Sequence, residues 1–225
     1  MHRIIAALAG AVLFAGGFTM AATATATPAN ARSAADFATT SAKLPAPKFR
    51  RAKVQLETSE PPGTVIVDTR TKYLYLVQGN DRAIRYGVGV GREGFGWSGV
   101  MHVGRKAEWP DWTPPQQMVA RERRQGHNIP TFVKGGENNP LGARALYLYH
   151  DGHDSLFRIH GTNQPWSIGR NMSSGCIRMM NADVIDLYSR VPVGARVVVI
   201  GPGNRAGNVE YSDNGVDILH TLFGG

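Results

Sequence analysis

The stretch R-I-H-G-T-N-Q-P-W-S-I-G-R-N-M-S-S-G-C-I-R-M-M-N, Arg158 to Asn181, holds the only cysteine of the chain and sets the terms for reading the rest. Just before and into it, L-F-R-I-H (Leu156 to His160) is an apolar run that reads as a strand, and G-T-N-Q-P after it is a loop by composition. A strand terminus holds a side chain rigidly while the loop beyond it leaves room for a substrate, so His160 stands where a base is useful. Cys176 follows sixteen residues later. A thiol is a strong nucleophile only as thiolate, and an adjacent imidazole supplies that state by taking the proton. Gly175 has no Cβ to keep a reacting carbonyl away, and the amides of Ser174, Gly175 and Cys176 can point at the oxygen of a tetrahedral intermediate. Arg178 offers a planar fork suited to a carboxylate. Together these residues describe acyl transfer on an anionic peptide. Each has a plainer reading: the cysteine as a small buried hydrophobe, the histidine as a packed strand end, the arginine as a support for a loop carbonyl or a partner of Asp183 or Asp186.

The chain of 225 residues opens on M-H-R, an apolar run from Ile4 to Phe18, and small residues offering A-x-A exits at Ala24, Ala26 and Ala31. That is the three-part pattern of a secretory signal, with an apolar core too short to span a bilayer comfortably. Residues 1–31 are therefore expected to be a signal peptide. No second long apolar run follows, so no transmembrane segment is expected after cleavage, and no cysteine stands where a lipid anchor needs one. Beyond Ala31, 24 basic residues face 17 acidic ones. A basic exported domain suits an anionic polymer. Nucleic acid is not expected as a partner, because the chain has no dense Lys/Arg run, no zinc-ligand cysteine spacing and no aromatic RNA-binding signature. In an oxidising compartment a lone cysteine is an inert buried thiol, half of an intermolecular bridge, or a group kept for chemistry.

Residues 32–60 are rich in Ala, Thr, Ser, Pro and Lys without a sustained period, and read as a flexible linker. The folded domain is expected over residues 61–201, with a Gly/Asn-rich tail over 202–225. Strand signals dominate it: Thr64 to Val67, Tyr73 to Val77, Ala83 to Val90, Val100 to Val103, Ala145 to Tyr149, Leu156 to His160 and Arg196 to Ile200, with a hairpin turn at Gly79-Asn80-Asp81. Two helices interrupt the series. One is expected from Thr113 as cap and Pro114 at the first position to Gly126 at the stop. The other starts at Asn181, carries Asp183 in its first turn and Val184, Leu187, Tyr188 and Val191 on one face, and ends at Pro192. His150 and His153 in H-D-G-H read as a solvated turn rather than a metal site. The W-P-D-W-T-P-P segment, Trp109 to Pro115, reads equally well as a cleft wall or as core.

The stretch from Arg158 onward resembles the signature of the L,D-transpeptidase catalytic domain, the YkuD-type cysteine enzymes of bacterial cell walls. P-P-G-T-V-I-V-D-T-R-T-K-Y-L-Y-L-V and N-P-L-G-A-R-A-L-Y-L upstream are also similar to it, so the likeness runs from about Pro61 to Ile200. It implies a mostly β, single L,D-transpeptidase-like β-sandwich domain with two short helices. It implies Cys176 as nucleophile, His160 as its base, and Gly161 as the residue whose carbonyl orients the histidine. Ser174, Gly175 and Cys176 would supply the oxyanion hole, and Arg178 and Ser173 would bind substrate. In the family a histidine usually stands where this chain has Ser174. The implied partners are peptidoglycan stem peptides, with an envelope protein as an alternative acceptor. The implied place is the periplasm, and no metal or organic cofactor is implied.

Overall fold

The computed structural model describes residues 44–93 and 95–201; the expected signal peptide, the first part of the linker and the tail lie outside the described residues. The two most apolar segments, V-I-V-D and R-V-V-V-I, become strands β2 (Val65–Asp68) and β10 (Arg196–Ile200), paired in parallel from Val65↔Val197 to Asp68↔Ile200. Val65, Val67, Val197 and Val199 enter the main core, while Ile66 and Val198 enter a second, smaller one with Leu56, Val77 and Ala83. Burial on both faces explains why these strands are continuous apolar runs rather than alternating ones.

Strands β3 (Tyr73–Gly79) and β4 (Arg82–Gly91) form the expected hairpin, with Gly79, Asn80 and Asp81 at φ 84°, 51° and 53°. The remaining strands are β1 (Ala52–Gln55), β5 (Gly99–Glu108), β6 (Arg144–His150), β7 (His153–His160), β8 (Asn171–Ser173) and β9 (Ile177–Met179). The order is β1-β4-β3-β2-β10-β5-β6-β7-β9, and β9 pairs back onto β4 through Val88↔Met179 and Gly89↔Arg178. The mostly β composition with two helices is as expected, but the sandwich needs correction: one sheet closes on itself instead of two sheets facing each other. The cause is β4, which pairs with β3 and β1 over its first half and with β9 and then β8 further along. Closure removes sheet edges from water. It also needs the alternate glycines of Y-G-V-G-V-G: a Cβ at Gly89 would lie 2.6 Å from the Ser167 carbonyl oxygen. The 161–170 loop thereby reaches the backbone of β4.

Residues 44–60 correct the linker expectation. Within them β1 pairs with β4 from Ala52↔Arg85 to Gln55↔Arg82, Leu56 seals the second core, and buried Glu60 accepts two hydrogen bonds from Arg196 at 3.0 and 3.3 Å. A polar, aperiodic composition hid them because one short strand and one apolar side chain suffice to cover Ile66 and Val198.

Helix α1 (Gln116–Arg124) starts later than expected, with Pro115 rather than Thr113 as its cap and no side-chain capping bond. A residue that precedes proline is pushed out of the helical region, so T-P-P delays the helix until Gln116. Gly126, at φ 79°, ends the segment as expected. Helix α2 (Asn181–Arg190) begins where predicted and buries Val184 and Leu187 in the main core. Lys106 of β5 donates to the carbonyls of Tyr188 and Val191, satisfying the end of α2.

Asp183 sits in the first turn of α2, 3.8 Å from Arg51, and burial pushes its carboxyl up to about 6 despite that arginine. With the folded value above the unfolded 3.8, its contribution to stability is present below pH 3.8 and lost as pH rises through 6. Asp183→Asn is therefore expected to raise the unfolding free energy at pH 7, by at most about 3 kcal/mol at 1.36 kcal/mol per unit, and to gain little at pH 4. Urea melts at the two pH values test this; an equal effect at both would show that ionisation is not the cause.

Candidate active site

The candidate site lies where β7 ends and β9 begins. These strands run parallel, with Ile159 opposite Ile177 and His160 opposite Arg178. Ile159 and Ile177 enter the main core, so period-two alternation sends His160 and Arg178 to the other face, together with Arg158 and Cys176. The four residues share one electrostatic environment: Arg158 and Arg178 both act on the imidazole of His160 and on the thiol of Cys176.

His160 is buried, and its Nδ1–H donates to the carbonyl of Gly161 at 2.5 Å. That bond fixes the tautomer and leaves Nε2 as the basic nitrogen. Burial first, and then the guanidinium of Arg178, push the imidazole down to about 3; the carbonyl of Gly161 opposes them. Cys176 is half-buried as a residue, but its sulfur is enclosed enough that burial raises the thiol above its ordinary value. The Arg158 guanidinium, the Arg158 backbone amide and Arg178 all act in the opposite direction, favouring thiolate. At neutral pH the pair therefore rests as thiol and neutral imidazole, surrounded by donors that favour the thiolate once it forms.

The turn bearing Cys176 is held from several sides. It joins β8 to β9, both of which pair with β4. Arg92 donates its backbone N–H to the Ser173 carbonyl at 3.0 Å. The Ser173 hydroxyl donates to the Cys176 carbonyl at 2.5 Å and accepts from the Gly175 amide at 3.2 Å. Two expectations change with this. Ser173 is buried and spends its hydroxyl on the turn, so it positions the site rather than binding substrate. The Gly175 amide is already engaged by the Ser173 hydroxyl, which leaves the amides of Ser174 and Cys176 as the candidate oxyanion donors. Gly175, at φ +108°, receives the Trp97 indole N–H on its carbonyl at 2.8 Å, and the Trp97 ring stacks on Phe157 at 4.5 Å.

Arg178 donates to Gln164 at 3.2 Å, while Asp183 and Asp186 pair with Arg51 instead, so the motif arginine is not consumed by the helix acids. Asn181 accepts from the amides of Ala143 and Thr162, fastening the loop after His160 to the start of α2. Ser174 accepts a hydrogen bond from Arg121 of α1 at 3.0 Å. Trp97, Phe157, Arg158, Arg121 and Asn181 thus support the site without having been singled out in the sequence. Trp97 lies in a Gly-rich stretch with no period, and Arg121 in an ordinary basic helix. His150 and His153 flank the Asp151-Gly152 turn, as expected. Trp109 and Trp112 belong to the long β5–β6 connection, bonded to Ala143 and Val133. Among the described residues no group of three His, Cys, Asp or Glu is placed to hold a metal ion.

A strand-end histidine bonded to the next residue's carbonyl, with a cysteine on the glycine turn that leads into the neighbouring strand, is an arrangement whose chemistry suits cysteine acyl transfer. Residues 62–199 match the L,D-transpeptidase catalytic domain family, YkuD, and the chain belongs to that family. The probable L,D-transpeptidase YbiS of Escherichia coli K12 is 37% identical over 142 residues, covering 61% of this chain and 44% of its own length. The chain thus spans less than half the length of this relative. A solved chain from Brucella melitensis, described as a probable carnitine operon oxidoreductase, is 41% identical, with 74% of this chain and 99% of that one covered and a TM-score of 0.46. An L,D-transpeptidase from Mycobacterium smegmatis is 17% identical, with 61% and 58% covered and a TM-score of 0.46. The family assignment stands on the catalytic-domain match.

Proposed function

We propose that this protein is an exported L,D-transpeptidase that forms 3-3 crosslinks between diaminopimelate residues of peptidoglycan stem peptides through a Cys176 thioester. What supports the reading is the parallel pairing that sets His160, at the end of β7, opposite Arg178 of β9, with Cys176 in the turn immediately before β9, and the His160 Nδ1–H bond to the Gly161 carbonyl. As the thiol approaches the diaminopimelate carbonyl that precedes a terminal D-alanine, His160 Nε2 takes its proton. The sulfur–carbon bond forms, the oxyanion is met by the Ser174 and Cys176 amides, and collapse breaks the amide bond. His160 returns the proton to the departing D-alanine nitrogen. A second diaminopimelate amine attacks the thioester, loses its proton to His160 and regenerates the thiol. Periplasmic location follows from the signal-like N-terminus and the cell-wall substrate. Among the described residues no helix is long and apolar enough to cross a membrane.

Purified protein incubated with tetrapeptide stems is expected to release alanine and yield a dimer one alanine lighter than two stems, by mass spectrometry. Cys176→Ala is expected to do neither, and to lose the covalent adduct that wild type forms with a carbapenem. Alanine release without a dimer would replace crosslinking with hydrolysis, and a dimer formed only with a protein amine would replace it with envelope-protein attachment. Absence of both adduct and release from the wild type would leave a non-catalytic wall-binding module.

A further inference from the structure

A cationic group at the start of the nucleophile turn comes from a separate element. Helix α1 buries none of its residues, yet it is tied to the site through one side: Arg121 donates to the Ser174 hydroxyl at 3.0 Å, and Arg92 and Arg121 both lie over the Phe95 ring, at 4.8 and 4.9 Å from its centroid. The Phe95 carbonyl lies against Gly175, 3.4 Å from where a Cβ would stand. One acid serves both guanidiniums: Glu122, 3.3 Å from Arg121 and 3.8 Å from Arg92, with His127 also at 3.2 Å. The local balance is positive beside a partly open surface, with Arg121 19% exposed. Guanidiniums thus reach both ends of the nucleophile turn, Arg121 at the Ser174 hydroxyl and Arg178, with Arg158, at Cys176.

We propose that Arg121 is a specificity-determining residue that receives a carboxylate of the donor stem peptide at the Ser174 end of the turn, while Arg178 serves the Cys176 end. This rests on the transpeptidase reading. A serine hydroxyl is a weak acceptor for a guanidinium, and a substrate carboxylate that replaces it makes a charge-assisted, bidentate pair. Ser174 then holds Arg121 in place until the donor arrives. On the two residues that flank the scissile bond the donor offers two such groups, the carboxylate of the terminal alanine and the side-chain carboxylate of diaminopimelate. Each arginine takes one.

The test uses the purified protein and three tetrapeptide donors: free acid, amidated at the terminal alanine, and amidated at the diaminopimelate side chain. Arg121→Gln is expected to raise KM for the free-acid donor roughly ten-fold or more, the scale of a lost charged hydrogen bond, with kcat changed much less. Wild type is expected to show a penalty of this kind for each amidated donor, and Arg121→Gln is expected to abolish the penalty for one of them, identifying the carboxylate that Arg121 receives. Arg121→Lys is expected to restore part of that penalty. Ser174→Ala, which keeps the guanidinium, is expected to keep the discrimination between donors. The proposal is overturned if wild type handles all three donors alike, or if Arg121→Gln leaves KM for the free acid unchanged. It is equally overturned if Ser174→Ala reproduces the Arg121→Gln pattern, which would make the arginine a support for the turn. Wild type that releases no alanine from any donor overturns the transpeptidase reading itself, so the two failures are distinguishable.

Discussion

His160→Gln is expected to slow alanine release by about 10²–10⁴-fold, the usual worth of a positioned general base, while leaving the chain folded. Glutamine is close in length and can still donate to the Gly161 carbonyl, but it has no basic nitrogen to take the thiol proton. The pH profile separates this role from a structural one. In the wild type the imidazole is held down to about 3 by burial and Arg178, and the thiol is raised by burial. The acid limb of kcat/KM is therefore expected well below the ordinary histidine value of 6.5, and the alkaline limb above the ordinary thiol value. An acid limb near 6.5 would show instead that the imidazole is solvated. Stability carries the same signature. Because the folded value lies below the unfolded one, the unfolded chain binds the extra proton between pH 6.5 and about 3. The contribution is complete above 6.5 and is lost as pH falls through that window. His160→Gln is expected to flatten this part of the stability curve, measured by urea melts at pH 7 and pH 4.5. A curve unchanged by the substitution would mean that the buried imidazole is not the titrating group.

The chemistry-bearing residues of this site are local in sequence, which is why they could be read there. His160, Gly161, Ser174, Gly175, Cys176 and Arg178 fall within nineteen consecutive residues, and the strand-loop-turn-strand pattern that carries them has a strong period and clear glycine punctuation. The long apolar strands β2, β3, β4 and β10 were legible for the same reason. What could not be read depends on contacts between distant segments. Closure through β4 and β9 involves two register pairs, Val88↔Met179 and Gly89↔Arg178, and neither leaves a trace in local composition. The strand in residues 52–55 is short and half-exposed, so Ala-Lys-Val-Gln looks like linker until β4 is placed beside it. Trp97 reaches Gly175 across 78 residues and Arg121 reaches Ser174 across 53, each by a single hydrogen bond. The family resemblance implies Ser173 as a substrate contact, whereas its hydroxyl is engaged within the turn, a distinction that only geometry makes.

Gly175→Ala is expected to reduce alanine release by at least about a hundred-fold, the scale on which a displaced oxyanion donor is felt, and to lower thermal stability as well. At φ +108° an L side chain is strained, a cost of order 1–3 kcal/mol. The added Cβ would also lie 2.6 Å from Cε1 of Phe157. Phe157 cannot simply swing aside, because it stacks on Trp97, and Trp97 is bonded to the Gly175 carbonyl. The turn must therefore move, and with it the Ser174 and Cys176 amides that flank the altered residue. Phe157→Leu in the Gly175→Ala background separates the two costs. It removes the aromatic ring edge while leaving the backbone strain, so it is expected to recover part of the melting temperature and little of the rate. Recovery of the rate together with stability would place the whole effect in the steric clash and remove the need for amide positioning. A Gly175→Ala protein as active as wild type would show that the turn tolerates a Cβ and that its amides are not the oxyanion donors.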